Sequence, residues 1–146
     1  MTRYLFVCLG NICRSPAAEG VASAMREQNG LEIEIDSAGT SGYHQGERAD
    51  ARMRRAAAQR GFDLTSRSRQ VVASDFDDFD HIVAMDRSNL ADLQEMAPPD
   101  CRASIRLFSE FCDDRWPTDV PDPYYGGDDG FDYVLDMLED GMEKLL

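Results

Sequence analysis

Cys8, Arg14 and Ser15, spaced as Cys-x5-Arg-Ser, are residue types that together could bind and attack a tetrahedral oxyanion. Between them lie Leu9, Gly10, Asn11, Ile12 and Cys13. If these five residues curl, their backbone N–H groups point inward, and a helix beginning near Pro16 adds its positive end. Arg14 can grip the anion with two parallel hydrogen bonds. Cys8, at the base of the ring, is expected as a thiolate, because helix N-termini and nearby cations favour that form. A thiolate beneath a held phosphate is a nucleophile aimed at phosphorus. Such a reaction needs a proton donor for the leaving group. Asp122, in the string Asp122-Pro123-Tyr124-Tyr125-Gly126-Gly127, is the candidate. Proline fixes the backbone just after its carboxyl group, and the paired aromatics can hold an aromatic substrate.

These residues need elements to position them. Tyr4 to Cys8 reads as a buried strand and Pro16 to Asn29 as a helix, opened by proline and closed by Gly30. Glu32 to Asp36 alternates polar and apolar residues, as a partly exposed strand does. Asp50 caps a helix over 50–60 that stops at Gly61, His81 to Met85 is a short apolar strand, and Arg87 to Met96 a helix ended by Pro98 and Pro99. Ser104 to Leu107 is a weaker strand, Asp113 to Gly130 a long acidic loop, and Phe131 to Leu146 an amphipathic helix. Alternating strands and helices predict an α/β fold, a parallel sheet covered on both faces, with residues 1–146 as one domain. Ligands of such sheets bind beyond the carboxyl ends of the strands at a topological switch point. Cys8, ending the first strand, is placed there.

Composition narrows the partners. The net charge is −13, from 15 basic and 28 acidic residues, and Lys144 is the single lysine. No basic patch is large enough to neutralise a nucleic-acid backbone. Long-range steering of a phosphate is unfavourable, so the local trap must do the binding. No run approaches a membrane span, and Arg3 precedes only about six apolar residues, too few for a secretory h-region. A cytoplasmic, reducing compartment fits, with four free cysteine thiols. Cys101 and Cys112 lie outside metal-ligand spacing, so no metal or other cofactor is expected.

The chain resembles the low-molecular-weight protein tyrosine phosphatases, bacterial members in particular. The resemblance runs over nearly the whole sequence. It is carried by Val7 to Pro16, Asp36-Ser37-Ala38-Gly39-Thr40, Ala84-Met85-Asp86 with Ser88-Asn89, and Asp122 to Gly126. It implies a flavodoxin-like three-layer fold with four parallel strands, and hydrolysis of phosphotyrosine without a metal. Cys8 then matches the nucleophile, Arg14 the phosphate-binding arginine, and Asp122 the general acid and base. Asn11, Ser15 and Ser37 match residues that brace the loop, and Ser15 also sits where a hydroxyl donates to the nucleophile's sulfur. Cys13 matches a second loop cysteine that can trap the first as a disulfide. Tyr124 and Tyr125 match the pocket wall. The implied partners are phosphotyrosine proteins, with a cognate bacterial tyrosine kinase as a candidate, and the implied state is a monomer.

One position departs from the family. Its bracing network ends on a histidine just after the second helix, and by spacing from Gly61 that position is Ser66. The loop is therefore expected to be held less firmly, or by another partner. His44 and His81 do not fall there and are expected as surface or strand-start residues. Two rival functions remain in view. An arsenate reductase on the same scaffold would use a relay of two further, closely spaced cysteines, which Cys101 and Cys112, eleven residues apart, fit poorly. A non-catalytic phosphotyrosine-binding module would require neither Cys8 nor Asp122.

Overall fold

The computed structural model describes residues 1–124 and 126–146, so the expectation for Tyr125 lies outside the described residues. Four parallel strands form one sheet in the order β2-β1-β3-β4, with β1 spanning Thr2–Cys8, β2 Ile33–Gly39, β3 His81–Ala84 and β4 Ser104–Leu107. The continuous apolar run of β1 follows from burial on both sides, since alternate residues leave opposite faces of a strand. Tyr4, Phe6 and Cys8 enter one core, with helices α1 (Arg14–Asn29), α2 (Ala51–Gln59) and α5 (Asp129–Leu145). Leu5 and Val7 enter the other, with α3 (Asp75–Asp78) and α4 (Arg87–Met96). In α5, Phe131, Leu135, Leu138 and Met142 recur at helical spacing and are all buried. Each such side chain contributes roughly 1.5–3 kcal/mol by leaving water.

The flavodoxin-like α/β architecture is as expected, with differences at the ends of three elements and two short elements added. Helix α1 begins at Arg14 rather than Pro16, which places Pro16 within the first turn, where its missing N–H costs nothing. Strand β2 runs on to Gly39 rather than ending at Asp36, because it pairs with β1 in register as far as Cys8 opposite Gly39. Asp36-Ser37-Ala38-Gly39 is thus the strand end beside the candidate nucleophile. Helix α5 begins at Asp129 rather than Phe131, its first turn carrying Asp129 and Asp132 against the positive helix end. The four-residue α3 and a 3-10 turn over Phe108–Phe111 are too short for a periodicity signal and were unexpected. Among the described residues, no helix is long and apolar enough to cross a membrane.

Candidate active site

The loop after β1 is held by its carbonyls. Thr40 N–H donates to Cys8 O at 2.9 Å, Ser41 N–H to Leu9 O at 2.9 Å, Asp50 N–H to Ile12 O at 2.7 Å and Ala17 N–H to Cys13 O at 3.1 Å. The Ser68 hydroxyl donates to Gly10 O at 2.9 Å. With these carbonyls engaged outward, the peptide N–H groups turn toward the centre, as an anion nest requires. Asn11 N–H lies 3.3 Å from Cys8 Sγ. Asn11 itself has φ 56°, a left-handed conformation that asparagine tolerates better than most residues. Gly39 is required by a close approach: a Cβ there would stand 2.6 Å from Leu9 O. Helix α1 points its first turn at the loop, and no carboxylate in that turn offsets its positive end.

A chain of hydrogen bonds beneath the loop has a fixed direction. Arg69 N–H donates to Asn11 Oδ1 at 3.0 Å, which orients the amide. Its Nδ2 then donates to Ser15 Oγ at 2.7 Å and to Ser37 Oγ at 3.0 Å. Ser37 spends its own proton on Glu19 Oε1 at 2.5 Å. Ser15, accepting from Asn11, lies 3.0 Å from Cys8 Sγ, a contact in which either atom can donate, and its hydroxyl also reaches Ala38 O at 3.3 Å. Asn11, Ser15 and Ser37 are all buried. The structure thus brings the expected bracing residues together and adds Glu19. Burial pushes the Glu19 carboxyl above its ordinary value. Asp36 adds to the rise, while hydrogen bonds from Ser37 and Ser66 and the charge of Arg69 oppose it. Ser66 therefore reaches the network through Glu19.

Arg14 is 4 % exposed and is gripped from below. Its Nη1 donates to Asp86 Oδ2 at 2.5 Å and to Val120 O at 3.2 Å, and Nη2 stands 3.8 Å from Asp122 Oδ2. Burial pulls the guanidinium's pKa down, but Cys8, Asp86 and Asp122 outweigh it and hold the group above its ordinary value. Asp86 also caps α4, accepting from Asn89 N–H at 2.7 Å. Asp122 projects from the opposite wall, its Oδ1 accepting from Tyr124 N–H at 3.0 Å. That turn aims the carboxyl group at the loop.

Cys8, Leu9, Gly10, Ile12, Cys13, Arg14, His44, Asp122 and Tyr124 line one cavity of about 90 Å³. The site residues expected from sequence thus converge, Ser37 from below and Tyr124 from the rim. His44 was expected at the surface. Instead it closes the pocket wall, its ring centroid 6.4 Å from that of Tyr124 and its Nδ1 held 2.9 Å from Glu47 Oε2. His81 opens β3 as expected. Cys13 is buried, and burial pushes its thiol well up; Asp50, Cys8 and Asp122 add to the rise, and Arg52 opposes it. Cys101 and Cys112 pack into the two different cores, on opposite faces of the sheet. Neither lines the pocket, where Cys13 is the one thiol besides Cys8, so a three-thiol arsenate relay is incomplete there.

Comparison with known proteins points the same way. Residues 3–146 match the family model described as low molecular weight phosphotyrosine protein phosphatase. A low molecular weight protein-tyrosine-phosphatase of Streptomyces coelicolor is 44% identical over 99% of this chain and 91% of its own. The crystal structure of a protein tyrosine phosphatase from Entamoeba histolytica superposes with a TM-score of 0.96 at 48% identity, covering 99% of this chain and 94% of the other. A Drosophila arginine phosphatase superposes at 0.94 with 33% identity, covering 99% and 95%.

Proposed function

The chain belongs to the low molecular weight phosphotyrosine protein phosphatase family, and on that premise we propose that it hydrolyses phosphotyrosine through a phosphocysteine intermediate, with residues 1–146 forming one phosphatase domain. The observation that carries the assignment of roles is the placement of Cys8 Sγ. It sits under a loop whose carbonyls are engaged outward, within reach of donors on Asn11 and Ser15.

The loop N–H groups and Arg14 bind the phosphate dianion. Cys8 attacks phosphorus in line, the S–P bond forms as the P–O bond breaks, and charge on the equatorial oxygens meets fixed donors. Asp122 gives its proton to the phenolic oxygen, a contribution of about 10²–10⁴-fold. As a carboxylate it then takes a proton from water, which attacks the phosphocysteine. Ser15 donates to the departing sulfur. Asp86 holds Arg14 in place through the cycle. His44 and Tyr124 at the mouth favour an aromatic phosphoester.

Phosphotyrosine proteins are the substrates, a tyrosine kinase is a candidate partner, and the enzyme acts as a cytoplasmic monomer without metal or cofactor. Peroxide oxidises Cys8 to a sulfenic acid, and the Cys13 thiol condenses with it, releasing water and leaving a disulfide that a thiol reductant reopens.

The test is turnover of a phosphotyrosine peptide beside phosphoserine, phosphoarginine and arsenate, with chelator present. Selective hydrolysis of phosphotyrosine is expected. Preference for phosphoarginine, reduction of arsenate, or loss of activity in chelator would each contradict the proposal.

A further inference from the structure

Ten of the 14 arginines are held by carboxylates of the fold. Among the described residues, Arg48, Arg54, Arg55 and Arg67 are in no salt bridge, although acids outnumber bases 28 to 15. All four lie between positions 48 and 67. Arg48 and Arg67 meet across an antiparallel bridge. Arg48, Arg54 and Arg55 line one groove of about 420 Å³ along α2, with Leu64 in its wall and Asp63 as the carboxylate among them. Three guanidinium groups against one carboxylate leave the groove positive within an acidic molecule. Arg54 is anchored by its Nε donating to Ala49 O at 2.9 Å, while Arg48 and Arg55 are exposed.

The groove adjoins the catalytic pocket. Asp50, the residue before α2, donates its N–H to Ile12 O of the phosphate loop at 2.7 Å. Arg54 and Arg55 follow within about 8 Å along the helix axis. An extended chain advances about 3.3–3.6 Å per residue, so a peptide leaving the pocket spans that distance in roughly two to three residues. We propose that this groove is a secondary docking site for a carboxylate-rich segment flanking the phosphotyrosine of the protein substrate. This rests on the phosphatase reading above and adds a substrate class to it. Guanidinium forks suit carboxylates, and the local field outweighs the distant one for a short peptide. An anionic membrane or a nucleic acid would face the whole −13 surface and be repelled.

Steady-state kinetics of the full chain test the proposal on three substrates: a small aryl phosphate, a phosphotyrosine peptide with glutamates two to four residues from the phosphotyrosine on both sides, and the same peptide with glutamines. At low salt the acidic peptide should have a KM about three- to tenfold lower, a preference that fades as salt is added. The double variant Arg48→Glu/Arg55→Glu should abolish or invert the preference and leave aryl phosphate turnover unchanged. If charge reversal also lowers aryl phosphate turnover, Arg48→Gln/Arg55→Gln supplies the same comparison. Equal KM for both peptides in the parent, or a preference that survives in the variants, would overturn the docking site while aryl phosphate hydrolysis still stands. Sedimentation with phosphatidylserine vesicles, lost on charge reversal and without any peptide preference, would overturn it in favour of a membrane. No turnover of any of the three substrates would instead remove the phosphatase reading.

Discussion

The Ser15 hydroxyl lies 3.0 Å from the sulfur of Cys8 and accepts from the Asn11 amide, and it is the donor of the pair whenever that sulfur is charged, since a thiolate can only accept. Because Ser15 accepts from the Asn11 amide, its proton is available to a negatively charged sulfur. That interaction matters most when sulfur leaves phosphorus. Ser15→Ala should therefore slow hydrolysis of the phosphoenzyme more than its formation, by about 10- to 100-fold, the scale of a hydrogen bond to a charged group. Rapid mixing with an aryl phosphate should reveal a burst of phenol in the variant. Equal slowing of both steps would place Ser15 in loop structure alone.

Asp122→Asn should slow hydrolysis of aryl phosphates by about 10²-fold or more. The penalty should shrink as the leaving group becomes more acidic, since such a group needs no proton. A series of substituted phenyl phosphates provides the measurement. A penalty independent of leaving group would make Asp122 structural.

Glu19 links the loop brace to pH. Its carboxyl is raised above the ordinary 4.5, chiefly by burial. A raised carboxyl binds its proton more tightly in the folded than in the unfolded chain. Its stabilising contribution is therefore full below about 4.5 and is lost as pH rises through the folded value. Glu19→Gln keeps an acceptor for Ser37 and removes this titration. Urea unfolding between pH 4 and 7 should show less loss of stability with rising pH in the variant than in the parent. Identical slopes would show that Glu19 does not titrate in this window.

Cys13 should decide recovery from oxidation. After peroxide followed by a thiol reductant, the parent should regain activity, whereas Cys13→Ser should be lost to sulfinic acid. Burial keeps the Cys13 thiol protonated, so it is not itself the first target of peroxide. Equal recovery of both proteins would end its role as a trap.

The local parts of this site were legible in the sequence. Val7 to Pro16 carries strand end, loop and helix start within ten residues, so spacing alone predicts the nest around Cys8. Capping by Asp50 and the stop at Gly61, with φ 86°, were equally local. The groups that act on the site from a distance were not. Asp86 reaches Arg14 across 72 positions, and although it belongs to the resembling string Ala84-Met85-Asp86, nothing local told that it would hold Arg14. Glu19 meets Ser37 because α1 packs beside β2, and one exposed-looking glutamate in a helix carries no sign of that. His44 lines the pocket beside Tyr124, a contact between distant parts of the chain that residue order does not reveal. Ser66 was singled out as a departure by spacing, but its partner Glu19 could be found only in three dimensions.

The central claim is that Cys8 becomes covalently phosphorylated during turnover. Acid quenching of the Asp122→Asn enzyme during reaction with a phosphotyrosine peptide, followed by proteolysis and mass spectrometry, tests it directly. The account predicts phosphate on the peptide containing Cys8, and none in Cys8→Ser. Phosphate on another residue, or undiminished hydrolysis by Cys8→Ser, would contradict it.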